Sequence, residues 1–206
     1  MNETEEQRIE RFARALWDGK PPRALYQPLE HPSFADWPAL QPCSERLGMI
    51  EGALTKARPG TLLDLGCHTG WFCRAFARRG WFTVGVDRSP AWIEIAKWMN
   101  ATCPEPIPSY HVADVFTWEI PYCDVALCLS LAMYVLDGSE AGWKFLRNVS
   151  EKAPIMFFDF GGQYGSRMPF SESDAMTTVC RHTTYQRAEF LGHTDFGSRP
   201  FYVFRR

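Results

Sequence analysis

The sequence predicts an α/β fold: a doubly wound, mostly parallel seven-stranded sheet with an antiparallel C-terminal hairpin and an N-terminal helical cap. Two observations carry this expectation. Five short apolar runs, at 61–65, 82–86, 109–113, 124–129 and 155–158, alternate with segments of helical periodicity, and each run is closed by a carboxylate or a hydroxyl. Beyond the fifth run, residues 188–193 and 201–205 flank the turn-rich stretch 194–200, which reads as a hairpin closing one sheet edge.

The elements follow in order. Ile9, Phe12, Ala13, Leu16 and Trp17 recur at helical spacing over 3–17, and Gly19-Lys20-Pro21-Pro22 stops that helix. Pro28, Pro32, Pro38 and Pro42 keep the next stretch irregular, because each fixes its φ and lacks an N–H. A second helix is predicted over 44–56, with Ser44 as N-cap, ending before Pro59-Gly60. Residues 1–58 therefore read as a helical cap and connector, and 59–206 as one compact domain. Within that domain Ser89-Pro90, an N-cap followed by proline at the first helical position, opens a helix to about residue 100. Ser139-Glu140 begins another, carrying Trp143, Phe145, Leu146 and Val149, and 171–180 is predicted helical. Trp92 and Trp98, at helical spacing, read as core.

Composition narrows the function. Of 206 residues, 46% are hydrophobic, 22% charged and 15% aromatic, which fits one globular core. With 22 Lys and Arg against 24 Asp and Glu, the net charge of −2 supplies no global basic field for a phosphate backbone, so nucleic acid is not an expected partner. Seven cysteines, an odd number without a C-x-x-C unit, predict reduced core thiols and no metal. The N-terminal MNETEEQRIE is acidic where a signal peptide is basic, and the longest apolar run, 125–136, is too short to cross a bilayer. A cytoplasmic protein away from membranes is the expectation.

In an open parallel sheet, ligands bind in the crevice at the carboxyl ends of the strands. The residues there are Asp64-Leu65-Gly66, Asp87, Asp114, Ser130 and Asp159. The first strand runs into a helix through Gly66-Cys67-His68-Thr69-Gly70, whose glycines permit positive φ and close approach of a ligand. A dinucleotide fingerprint starting at Gly66 requires glycine at 68 and 71, where His68 and Trp71 stand, which disfavours a pyrophosphate on this helix N-terminus. His68 itself tolerates a left-handed backbone better than a β-branched residue.

Taken together, Asp64-x-Gly66-x-x-x-Gly70, Gly85-Val86-Asp87-Arg88-Ser89-Pro90, Ala113-Asp114-Val115 and Asp124 to Ser130 resemble motifs I to IV of the class I S-adenosylmethionine-dependent methyltransferases. The resemblance covers roughly residues 60–160, and the C-terminal hairpin suits the reversed last strand of that fold. It implies S-adenosylmethionine as cofactor. Gly66 and Gly70 would let the backbone lie against its methionine part, with the loop residues Cys67 and His68 beside them. Asp64 would orient the ammonium group, and Asp87 would accept from both ribose hydroxyls, as an ionised carboxylate can. Arg88 would flank the adenine, Asp114 would take the adenine amino group and the Val115 amide a ring nitrogen, while Leu129 and Ser130 would sit beside the methionine end. Tyr26-Gln27-Pro28 and Arg46 resemble an N-terminal cap found in some bacterial members, with Arg46 a bidentate partner for the cofactor carboxylate.

A sulfonium methyl group is already activated, so such an enzyme chiefly holds a nucleophile in line and excludes water. Tyr134, just past the fourth strand, and Asp159, at the end of the fifth, are the candidate catalytic residues, as wall and base respectively. After the fourth strand stands Ser130-Leu131-Ala132-Met133 rather than an Asn/Asp-Pro-Pro-Tyr/Phe motif, which disfavours amino methylation of bases or glutamine amides. Small size and a balanced charge favour a small-molecule or sugar-like acceptor. Two other readings stand beside it: a catalytically silent, cofactor-binding regulatory protein, and an NAD-dependent oxidoreductase using Asp87 on a ribose.

Overall fold

The computed structural model describes residues 3–16, 24–41, 43–137, 139–160, 172–194 and 199–206. Its strands are β1 (Thr61–Leu65), β2 (Phe82–Asp87), β3 (Ser109–Val112), β4 (Val125–Cys128), β5 (Ile155–Asp159), β6 (Arg187–Thr194) and β7 (Arg199–Arg205). They form a seven-stranded sheet in the order β3-β2-β1-β4-β5-β7-β6. The first five strands run parallel, and β7 runs antiparallel to both β5 and β6. The order reverses at β1, whose neighbours are β2 and β4, so a crevice opens there.

Helices cover both faces: α1 (Glu5–Leu16), α2 (Ser44–Ala53), α3 (Trp71–Ala77), α4 (Pro90–Met99), α5 (Ala132–Val135), α6 (Glu140–Lys152) and α7 (Glu172–His182). The central strands are apolar in succession because each face has its own helical layer. Leu63, Leu65, Ala126, Cys128, Met156 and Phe158 pack with α6 residues Phe145, Leu146 and Val149 and with Ala175 and Val179 of α7. Their alternate neighbours Leu62, Val125, Leu127 and Phe157 pack with Leu47 and Ile50 of α2 and Phe72 and Phe76 of α3. A third cluster joins Phe12 of α1 and Leu25, Leu29 and Phe34 of the connector to Ile95 and Met99 of α4. The N-terminal segment is thereby laid over the sheet end that α4 borders. Arg11 of α1 adds a paired contact to Glu94 of α4, at 2.7 Å from each of its two Nη atoms.

Local chemistry explains most boundaries. Ser89 accepts from the Trp92 amide and Ser139 from the Gly142 amide, each as a helix N-cap. Helix α2 differs from expectation: its N-cap is Cys43, in the left-handed region at φ 67°, Ser44 is already helical, and the helix ends at Ala53 rather than 56. The short helix α5, inside the apolar run after β4, was not expected. Trp17, the stop at 19–22, Pro42, Ser171 and the turn at 195–198 lie outside the described residues. His111 is exposed on the sheet-edge strand β3, where it packs on Trp118 at 5.6 Å. All seven cysteines are unpaired. Among the described residues no helix is long and apolar enough to cross a membrane.

Candidate functional site

The carboxyl ends of β1, β2 and β4 open into a cleft of about 540 Å³, roofed by the N-terminal segment. Its floor begins with the loop after β1. Gly66, His68 and Gly70 all adopt positive φ, at 78°, 53° and 74°. The Gly66 and Cys67 amides both donate to the Val86 carbonyl, at 2.8 and 3.0 Å, which pins the loop against β2. A Cβ at Gly66 would stand 3.0 Å from Leu131 Cδ2, and both residues line the cleft. Gly70 serves packing instead: a Cβ there would collide with the Tyr110 ring, whose hydroxyl donates to the Gly70 carbonyl.

Asp87, the last residue of β2, is clamped from two sides. Its Oδ2 accepts from the His68 amide and its Oδ1 from the Ser89 amide, both at 2.9 Å. A carboxylate oxygen has two lone pairs, so each retains capacity toward the cleft. Burial pushes the Asp87 carboxyl up from its ordinary value, and the two amides oppose that shift. Above it, Tyr26, His68 and Trp92 form a row of tilted rings with centroid separations of 5.0 and 4.1 Å. Burial pushes the His68 imidazole down to about 4, so it stays neutral near neutral pH. Trp92, expected in the core, instead lines the cleft, while its helical neighbour Trp98 packs on Phe12.

Beyond Asp87, Arg88, Asp114 and Val115 extend the wall, and Tyr134 stands half exposed near the Arg88 guanidinium, 6.0 Å from ring centre to charge. Asp114 also accepts from the Phe116 amide at 3.0 Å, which fixes its side chain in a local turn.

The other end of the cleft gathers residues from distant segments. Asp64, buried on β1, has its carboxyl raised to about 7 by burial, with the Arg46 charge pulling the other way. Arg46 itself is buried. Its Nη1 meets Asp159 Oδ2 at 3.1 Å, its Nη2 donates to the Gln41 side-chain oxygen, and its guanidinium lies over the Phe72 ring at 5.2 Å. Burial disfavours the Arg46 cation, but the Asp159 carboxylate together with smaller partners outweighs it and holds the pKa above the ordinary value. Asp159 is fully buried, and it also accepts from the Ser130 amide.

The structure thus brings Arg46, Asp64, Gly66, His68, Asp87 and Arg88 to one cleft with Asp114, Val115, Leu129, Ser130 and Tyr134. Cys67, Gly70 and Asp159 lie behind that lining. Sequence reading missed Arg199, Gln41 and Trp92, which line it as well. A topological signal existed for Arg199. An antiparallel last strand enters the sheet where its parallel neighbour leaves it, so the first residue of β7 arrives beside the end of β5, with Phe201 opposite Asp159.

Comparison with known proteins bears on the family and the fold. A family model described as a methyltransferase domain matches residues 39–169, more than half of the chain. No curated protein sequence matches the chain. Among solved structures, the bifunctional kinase-methyltransferase WbdD is similar at 19% identity and a TM-score of 0.76 over 96% of this chain and 46% of that one. The chain therefore spans about half the length of WbdD. Magnesium protoporphyrin IX methyltransferase (ChlM) from Synechocystis PCC 6803, with bound S-adenosylmethionine, is similar at 16% identity and a TM-score of 0.63 over 78% of this chain and 77% of that one. The S-adenosylmethionine-dependent methyltransferase SibL, in its apo form, is similar at 17% identity and a TM-score of 0.60 over 79% of this chain and 54% of that one. The motif order, the sheet with its reversed last strand and the matched domain lead to one assignment: the chain belongs to the class I S-adenosylmethionine-dependent methyltransferases.

Proposed function

We propose that the protein transfers the methyl group of S-adenosylmethionine to a small-molecule acceptor, in the cytoplasm and away from membranes and nucleic acid. The observation that carries this reading is Asp87, a carboxylate locked at the end of β2 by two backbone amides while facing the cleft. That arrangement suits a pair of adjacent ribose hydroxyls, because an ionised carboxylate only accepts. The remaining residues fit the same cofactor. Gly66 keeps the loop low at a point where a side chain would crowd Leu131. Asp64 offers a carboxylate for the ammonium group, and Arg46 a guanidinium for the carboxylate. Arg88, Asp114 and Val115 border the adenine position, with Leu129 and Ser130 at the methionine end.

The bound cofactor supplies a sulfonium-activated methyl group. The chain's own part is to orient and to exclude water. Tyr26 and Gln27 from the connector close the cleft from above, and the Gln41 amide donates to the Tyr26 hydroxyl at 2.6 Å, tying the two halves of that cover together. Tyr134 forms the wall where an acceptor enters. Asp159 was expected as a base, but its carboxylate is buried and engaged by Arg46 and Ser130. We assign it a positioning role: it fixes the Arg46 guanidinium and the Ser130 amide. Cys67 and Gly70 are likewise read as packing residues that hold the loop.

Calorimetric titration with S-adenosylhomocysteine, with NADH as comparator, tests the cofactor assignment. Saturable binding of S-adenosylhomocysteine alone is expected. Binding of NADH, or of neither ligand, would overturn it.

A further inference from the structure

A buried cation behind the cleft lacks part of its hydrogen bonding. Arg74 of α3 is fully buried. Its Nη1 donates to the Thr69 carbonyl at 2.6 Å, which ties the helix to the loop after β1. Its Nε and Nη2 have no hydrogen-bond partner among the described residues. Those two nitrogens form one edge of the planar guanidinium, an edge suited to a carboxylate through two parallel bonds. Glu30 of the connector stands just out of its reach. The Glu30 Oε2 is 4.0 Å from Arg74 Nε, and both Glu30 oxygens are engaged by Arg78, at 3.1 and 2.5 Å.

Glu30 thus has two cationic neighbours, and they are not equivalent. Its pair with Arg78 is partly exposed, whereas the Arg74 edge is enclosed. In the enclosed position a charge pair is screened less and an unmade hydrogen bond costs more. Three residues before Glu30, Gln27 lines the cleft, and its side-chain oxygen accepts from Thr69 Oγ1 at 3.4 Å. Arg74 therefore stands between the loop after β1 and the connector, with Thr69 on one side and Glu30 on the other. We propose that Arg74 is a positioning residue that couples cofactor binding to seating of the connector: with the cofactor in the cleft, Glu30 passes from Arg78 to the open edge of Arg74. This inference rests on the methyltransferase reading and adds a coupling device to its site. The cofactor's contacts with Tyr26 and Gln27 supply the differential affinity, because they favour the arrangement in which the connector lies closest to the loop. Seating Glu30 on Arg74 then holds the cover and the loop together.

The test is calorimetric titration of S-adenosylhomocysteine into the full chain as wild type, Glu30→Gln and Arg78→Gln. Glu30→Gln weakens binding by about fivefold or more, the lower end of a usual coupling between sites. Arg78→Gln releases Glu30 toward Arg74, and so leaves the affinity unchanged or raises it. Both variants break the same exposed ion pair, so a role confined to that pair would move the two affinities together. Arg74→Lys, which keeps the charge but loses the planar edge, weakens binding as Glu30→Gln does, and the double variant Arg74→Lys/Glu30→Gln weakens it no further. A smaller loss in Glu30→Gln, or a comparable loss in Arg78→Gln, overturns the proposal, and neither outcome depends on a variant at the buried Arg74. If S-adenosylhomocysteine fails to bind wild type, the cofactor reading falls instead, and this coupling with it.

Discussion

The two ends of the cleft are built in opposite ways. The end at β2 and β3 is assembled from residues that each close a strand in one continuous stretch: Asp87 with Arg88, then Asp114 with Val115. The end at β4 is assembled from Gln41 and Arg46 of the N-terminal segment, Ser130 after β4, Asp159 of β5 and Arg199 of β7. Strand ends held by local backbone hydrogen bonds need few partners from elsewhere. A buried charge needs partners in three dimensions, because the low dielectric penalises any cation or carboxylate left alone. The first end can therefore be read from motif spacing, whereas at the second the sequence names Arg46, Ser130 and Asp159 but only the assembled fold adds Gln41 and Arg199 and pairs Arg46 with Asp159.

The sharpest way to break this contrast is to remove one member of the buried pair. Asp159→Ala leaves the Arg46 guanidinium buried without its carboxylate, and should cost about 3 to 5 kcal/mol of folding stability in urea denaturation. A loss below about 1 kcal/mol would show that water reaches Arg46 freely and that the second end is no more integrated than a surface pair.

At the first end the expected effect is on binding. Asp87→Ala should weaken S-adenosylhomocysteine by about 1 to 3 kcal/mol, or roughly fivefold to 150-fold, in calorimetry. Unchanged affinity would remove Asp87 as the ribose ligand.

Proton linkage sharpens the contrast further. Burial holds the Asp64 carboxyl up at about 7 in the free protein, whereas an ammonium partner needs it ionised. Affinity for S-adenosylhomocysteine is therefore full above about pH 8 and should fall about tenfold by pH 6, a slope that Asp64→Asn abolishes. His68 adds nothing over that range, since its imidazole charges only near 4. The same raised carboxyl means that the folded chain keeps a proton the unfolded chain releases. Its contribution to stability therefore declines as pH rises from the ordinary value of 3.8 toward about 7.

The smallest effect belongs to the exposed cover. Arg11→Ala removes the contact of α1 to Glu94, but exposed pairs contribute little, so affinity should change by less than about twofold. A larger change would make α1 a working part of the site.

What the sequence revealed follows the same division. The order of five strand-closing polar residues, the glycine loop and the terminal hairpin each rest on local chemistry, and all five polar residues stand within two positions of the last residue of a strand. The α2 N-cap was misplaced by one residue because a left-handed Cys43 performs the turn without a side-chain cap, and no propensity signals that. Trp92 looked like core because its helical spacing is that of a buried face. The cleft opens beside that face, and the indole completes a row with His68 and Tyr26. Asp159 looked like a base because it closes a strand. Only the fold shows that Arg46, far away in sequence, occupies its carboxylate.

A crystal structure of the complex with S-adenosylhomocysteine tests the division of the cleft most directly. The account predicts both ribose hydroxyls on Asp87 and the homocysteine carboxylate on Arg46. A ribose placed away from Asp87, or a homocysteine carboxylate seated on Arg199, would contradict it.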